Sequence, residues 1–183
     1  MSTFLFIIST MLLLLLAYFI FRVIVRRDYQ KKKKLGWFAT SCEFLIFALH
    51  ANFCYAFLPV NWWEIPDLPE NQLHSIIGIS LLVIGFILTL LSMGYLGFKK
   101  ACGQQVDGLR NSGIYGKTRN PQIIFYTILL AGIVVLWFSW YSIIWLLIYL
   151  IIAHLMVTTE EEHLRNVYGK SYEEYSSRVP RYF

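Results

Sequence analysis

Charge is scarce in this chain. Only 15% of its 183 residues are Asp, Glu, Lys or Arg, where a soluble domain carries about a quarter. The 57% that are hydrophobic sit in long unbroken runs, more than a soluble core absorbs and what a bilayer accepts. No Pro/Gly/Ser-rich stretch divides the chain and no internal repeat is visible, so the length reads as one domain. The three cysteines, Cys42, Cys54 and Cys102, have neither metal-ligand spacing nor a disulfide framework; no metal site is expected. No strand runs into a G-x-G-x-x-G turn, which excludes a soluble-type dinucleotide fold.

The apolar runs predict an all-α membrane protein of about five transmembrane helices. The first, Phe4 to Phe21, lacks a basic leader and a small-residue cleavage site, and reads as a retained anchor. The second covers roughly Gly36 to Val60 and the third Leu73 to Phe98. The last, Gln122 to Val157, has 36 residues. As one helix it would be roughly 54 Å long, so a split near Phe138-Ser139-Trp140 into a helical hairpin is expected.

Five crossings sort the cations without remainder. Segments 22–35, 99–121 and 158–183 fall on one side and hold all 16 Lys and Arg residues. The opposite loop, 61–72, has none and carries Glu64, Asp67 and Glu70. The basic side is then cytoplasmic and the N-terminus outside, as in a bacterial inner membrane. The formal charge of +5 needs no nucleic acid; Lys31–Lys34 suits anionic headgroups, and Trp62 and Trp63 suit the other interface.

A few polar residues stand out against this background. Glu43 and His50, seven apart in the second run, form either a polar pocket or a self-satisfied pair. Asn120-Pro121 suits a helix cap and first turn, but Gly113, Tyr115, Lys117 and Arg119 beside it also suit a carboxylate- or phosphate-bearing ligand at a helix N-terminus. After the last run, Glu160-Glu161-Glu162 would be unfavourable at a helix C-terminus. The reading is therefore a helix that continues past them with the glutamates solvated, the alternative being a functional acid at the membrane edge. In the continuing helix Leu164, Tyr168, Tyr172 and Tyr175 would form an amphipathic tail in the interface. His154 and Glu161 are seven apart and share a face.

Two segments carry a resemblance. Gly113-x-Tyr115-x-x-x-Arg119-Asn120-Pro121-Gln122 is similar to the G-x-Y-x-x-x-R-[HN]-P-Q segment of integral membrane methyltransferases, the isoprenylcysteine carboxyl methyltransferases and phospholipid N-methyltransferases. Glu160-Glu161, Tyr168-Gly169, Tyr172, Tyr175 and Val179-Pro180-Arg181 resemble that family's C-terminal motif. The likeness covers roughly 99–183, leaving 1–98 as a three-helix membrane region within the same domain. It implies S-adenosylmethionine (SAM) bound at the cytoplasmic membrane edge and a lipid or lipophilic methyl acceptor. By position, the cofactor residues would be Lys100, Asp107, Gly108, Leu109, Arg110, Tyr115, Asn120, Pro121, Gln122, Ile123 and Glu160.

Base candidates, if the acceptor needs one, are Glu161, His154, Tyr115 and Glu43. Where many relatives carry Arg four residues before the Glu pair, this chain has Met156, which speaks against a carboxylate acceptor. The other reading is a non-catalytic scaffold or small transporter that keeps the fold. It would not require both motifs at these spacings.

Overall fold

A computed structural model describes residues 2–58, 60–61, 64–105 and 108–183, and is helical with no strand among them. Trp62, Trp63 and Asp107 lie outside the described residues. Helix α1 (Thr3–Lys32) starts on a Ser2 cap and carries a wider i→i+5 turn at Ile20–Val25. It stops at Lys33, whose φ of 58° is left-handed. Asp28 holds this corner: it pairs with Lys32 at 2.9 Å and accepts the Gly36 amide at 3.0 Å. Lys31–Lys34 are exposed. Helix α2 (Trp37–Asn52) follows and buries Ala39, Thr40, Ile46 and His50.

Helix α3 (Gln72–Leu96) is capped by the Asn71 side chain, which accepts from the amides of Leu73 and His74. Helix α4 (Pro121–Leu136) has proline in its first turn, as the sequence predicts. Asn120 does not cap it with its side chain, a correction to the sequence reading. Its Nδ2 donates instead to the Arg181 carbonyl at 3.1 Å, since the C-terminal tail runs alongside. The hairpin breaks at the expected place. Ser139 and Ser142 form a reciprocal cap that starts helix α5 (Trp140–Tyr168).

At 29 residues α5 is about 44 Å long, so it outruns a hydrocarbon core of about 30 Å and carries its glutamates beyond it. Gly169, at φ +51°, turns the chain into helix α6 (Lys170–Arg178). Helices α1, α3 and α5 are long and apolar enough to cross a membrane; α2 and α4, at 16 residues each, are shorter.

Packing uses two devices. Helices α3 and α4 touch backbone to backbone through Gly78, Gly85 and Gly132: a Cβ on Gly85 would stand 2.4 Å from the Leu129 amide nitrogen. Gly85→Ala therefore forces this pair apart, with an expected loss of about 1–3 kcal/mol, read as a lowered thermal midpoint in detergent. Helix α5 is the central post. Ile148 and Ile152 pack with α1 and α2, while Trp145, Tyr149 and Val157 pack toward α4. The 98/99 boundary thus does not separate two cores.

Candidate active site

Three consecutive glutamates near the end of α5 leave the helix about 100° apart, and each has its own destination. Glu162 meets α1, with Arg22 at 2.7 Å and Arg26 at 3.0 Å. Glu161 is buried and accepts from Arg181 through two bonds, at 3.1 and 2.7 Å, with Arg119 at 3.3 Å. Glu160 lines a cavity between the end of α5, the loop ahead of α4 and Tyr29 of α1. None is merely solvated.

The arginines on Glu161 tie the two sequence motifs together. The Arg119 amide donates to the Pro180 carbonyl at 3.0 Å, and Thr118 Oγ1 and Asn120 Nδ2 both donate to the Arg181 carbonyl. Tyr175 Oη donates to the Tyr115 carbonyl at 2.7 Å. Tyr172 and Tyr175 are buried against Leu109, Leu164 and Tyr168, so the tyrosine stripe faces protein. The amphipathic interfacial tail expected from the sequence is corrected on this point: the stripe's partner is the loop over the cavity. Burial pushes the Tyr175 hydroxyl up to about 12.

The cavity brings together Lys100, Gly108, Leu109, Arg110, Tyr115, Asn120, Gln122 and Glu160 from the expected cofactor set, with Glu161. The loop carrying the first four is closed by Lys100 Nζ donating to the Gly108 carbonyl. It is anchored where the Leu35 amide donates to the Gly103 carbonyl at 2.9 Å. Gly103, at φ +64°, lies under the Tyr29 hydroxyl, where a Cβ would stand 2.5 Å from it. Pro121 and Ile123 are buried and do not line the cavity.

The start of α4 offers an anion few amides. Asn120 N–H goes to Thr118, Pro121 has none, and Ile123 and Ile124 bond to the Asn120 carbonyl. The cations Lys100, Arg110 and Arg119 are the stronger anion-binding feature.

The base candidates are dispersed. The Tyr115 hydroxyl donates to Gln122 Oε1, and burial followed by the nearby Glu160 charge raises it well above the ordinary tyrosine range. That hydroxyl stays protonated at neutral pH. Glu161 is taken up by two arginines, and His154 is exposed in an apolar groove between α4 and α5 beside Tyr182 and Phe183. Glu43 lies outside the cavity lining, within electrostatic reach of Glu160 and Tyr29.

His50 does not pair with Glu43. Its ring stacks on Trp145 and its Nε2 donates to the Trp145 carbonyl at 2.9 Å, while Trp145 Nε1 donates to the His50 carbonyl at 2.7 Å.

Sequence reasoning missed Tyr29 and His163 in the lining. His163 was findable, one helical turn after Glu160 and so on its face. Tyr29 sits in a basic segment with no motif around it. The walls are short of polar partners. Among the described residues the Glu160 carboxylate makes no hydrogen bond or ion pair, and buried Arg119 Nε and His163 Nε2 have none.

The family model described as phospholipid methyltransferase matches residues 73–171, more than half of the chain. The chain belongs to the phospholipid methyltransferase family. No curated protein and no solved structure matches it significantly. As a member of this family it is a membrane methyltransferase of lipid-related function. The match runs from α3 into α6, so it contains the cavity loop, Arg119-Asn120-Pro121 and Glu160. Tyr29 and the Val179–Arg181 clip fall outside it.

Proposed function

We propose that this phospholipid methyltransferase family member uses SAM and transfers its methyl group to a lipid whose headgroup reaches the cavity at the basic end of the bundle. The observation that carries this reading is the lining of the cavity: Glu160, whose carboxylate makes no hydrogen bond or ion pair among the described residues, shares one pocket with Lys100, Arg110 and Arg119. A zwitterionic amino-acid ligand with ribose hydroxyls fits that donor set. Lys100, Arg110 and Arg119 would hold its carboxylate, and Glu160 its ammonium or ribose hydroxyls. Tyr115, Gln122 and the loop backbone at Gly108–Leu109 would line the remainder. When bound, the cofactor supplies an electrophilic methyl group; the protein's part is alignment and exclusion of water.

Five crossings with the N-terminus outside and the cavity on the cytoplasmic side, as in a bacterial inner membrane, follow from the charge partition. They are supported by the Arg22, Arg26 and Glu162 cluster on the cavity side. The apolar groove between α4 and α5, lined by Ile124, Ile128, Leu147, Ile151 and Tyr182, suits acyl chains. The test is calorimetric titration of S-adenosylhomocysteine into the wild-type protein in nanodiscs. Micromolar binding is the expected result, and no heat from well-folded protein contradicts the reading.

A further inference from the structure

Among the described residues, Tyr29 is the one that α1 contributes to the cavity, and it lies outside the segment that the family model matches. Its place is fixed by the packing of α1 on α5. Arg22 and Arg26 both reach Glu162, and Tyr29, three residues after Arg26, continues that helical face. Its ring stacks on His163 with centroids 4.1 Å apart and planes 8° from parallel. The Lys33 amide closes the helix on the Tyr29 carbonyl at 3.2 Å, and the Leu35 amide then reaches the Gly103 carbonyl at 2.9 Å. Because Gly103 has no Cβ, the cavity loop packs directly against the hydroxyl end of the ring.

This hydroxyl is placed but not satisfied. Tyr29 is 6% exposed, yet its Oη makes no hydrogen bond with a described residue. A buried phenol normally has a partner, because an unmade bond forfeits its hydration. Burial, followed by the charges of Glu160 and Glu43, raises the hydroxyl well above the ordinary tyrosine range, so it remains a donor at neutral pH. Glu160 lines the same cavity, stands within electrostatic reach of Tyr29, and has no described donor on its carboxylate. The two do not bond each other.

A group between them must accept from the phenol and donate to the carboxylate. A hydroxyl does both through one oxygen. An ammonium would leave the phenol hydrogen unplaced, and a ligand carboxylate would face Glu160. The cations Lys100, Arg110 and Arg119 already offer that carboxylate a place elsewhere in the cavity.

Resting on the proposed use of SAM, we infer that Tyr29 is a cofactor-binding residue whose hydroxyl donates to a ribose hydroxyl, which in turn donates to Glu160. Recognition of the cofactor's sugar is then shared between α1 and α5. The N-terminal helix completes a site that the matched segment does not hold alone, and the stack on His163 fixes the direction of the phenol before the ligand arrives.

The experiment titrates S-adenosylhomocysteine and its 2′-deoxy and 3′-deoxy ribose analogues into wild-type protein and Tyr29→Phe in nanodiscs, with a thermal melt of each protein. The variant keeps the ring and loses the hydroxyl alone. It is expected to bind S-adenosylhomocysteine about 3–10-fold more weakly at an unchanged thermal midpoint. With one of the two deoxy analogues the difference between wild type and variant should vanish, because that ligand lacks the oxygen to which Tyr29 donates.

Equal binding of S-adenosylhomocysteine by wild type and variant would overturn the inference. So would a deficit of the same size with all three ligands, which marks a disturbed cavity rather than one lost bond. A lowered thermal midpoint in Tyr29→Phe would show that the hydroxyl already has a partner within the protein, and would overturn it too. Wild-type protein that binds none of the three ligands would instead remove the SAM reading on which the inference rests.

Discussion

Glu160→Ala is expected to weaken S-adenosylhomocysteine binding on the order of 100-fold without lowering the thermal midpoint. The reason is the asymmetry among the three glutamates. Removing Glu161 or Glu162 strands arginines, whereas Glu160 holds no described residue, so its loss costs the fold nothing. A hydrogen bond to a charged group contributes about 1.5–3 kcal/mol, and each 1.4 kcal/mol is tenfold in affinity. Glu160→Gln keeps the shape and removes the charge. It should retain part of the affinity if the contact is to ribose hydroxyls, and little if it is to the ammonium. Calorimetry beside a thermal melt reads both quantities; binding equal to wild type in Glu160→Ala contradicts the assignment.

Arg181→Ala is expected to act in the opposite way, on stability first. Glu161 is buried, and Arg181 supplies two of its hydrogen bonds from the far end of the chain. Breaking a buried pair leaves a charge uncompensated, at about 3–5 kcal/mol. Arg119 remains on the carboxylate, which places the expected loss near the lower end, about 3 kcal/mol. The damage should also reach the cavity, because Thr118 and Asn120 hold the Arg181 carbonyl beside the Arg119 loop. Lowered thermal midpoint with weakened S-adenosylhomocysteine binding is the predicted signature. An unchanged midpoint in Arg181→Ala would show that the tail clip contributes nothing.

The parts of this fold that sequence made legible are those fixed by pattern along one helix. The hairpin break at Ser139 is one, because 36 apolar residues exceed any bilayer and serines cap. The continuation of α5 past its glutamates is another, since nothing in Glu160–Tyr168 breaks a helix. What stayed hidden depends on which segment packs where. Spacing could not tell that Glu162 belongs to α1, Glu161 to the C-terminal tail and Glu160 to a cavity.

The same limit explains the polar residues in the runs. His50 looked like a partner for Glu43 by its seven-residue step, but Trp145 of α5 satisfies it from both directions. Asn120 looked like a cap, and the C-terminal tail claimed its side chain. The tyrosines of α6 have the period of an interfacial helix, which is equally the period of one that packs on a loop. His163 belongs to no motif, and only its three-residue helical step from Glu160 places it on the cavity face.

On the proposed function, the Glu160 cavity delivers a methyl group to a lipid. That delivery is tested most directly by supplying methyl-labelled SAM to the reconstituted protein and extracting the lipid phase. Label in the lipid fraction with wild type, and background label with Glu160→Ala at equal folded protein, is the predicted result. Wild-type protein that binds S-adenosylhomocysteine yet leaves the lipid unlabelled, or Glu160→Ala that labels it as fast as wild type, would contradict the account.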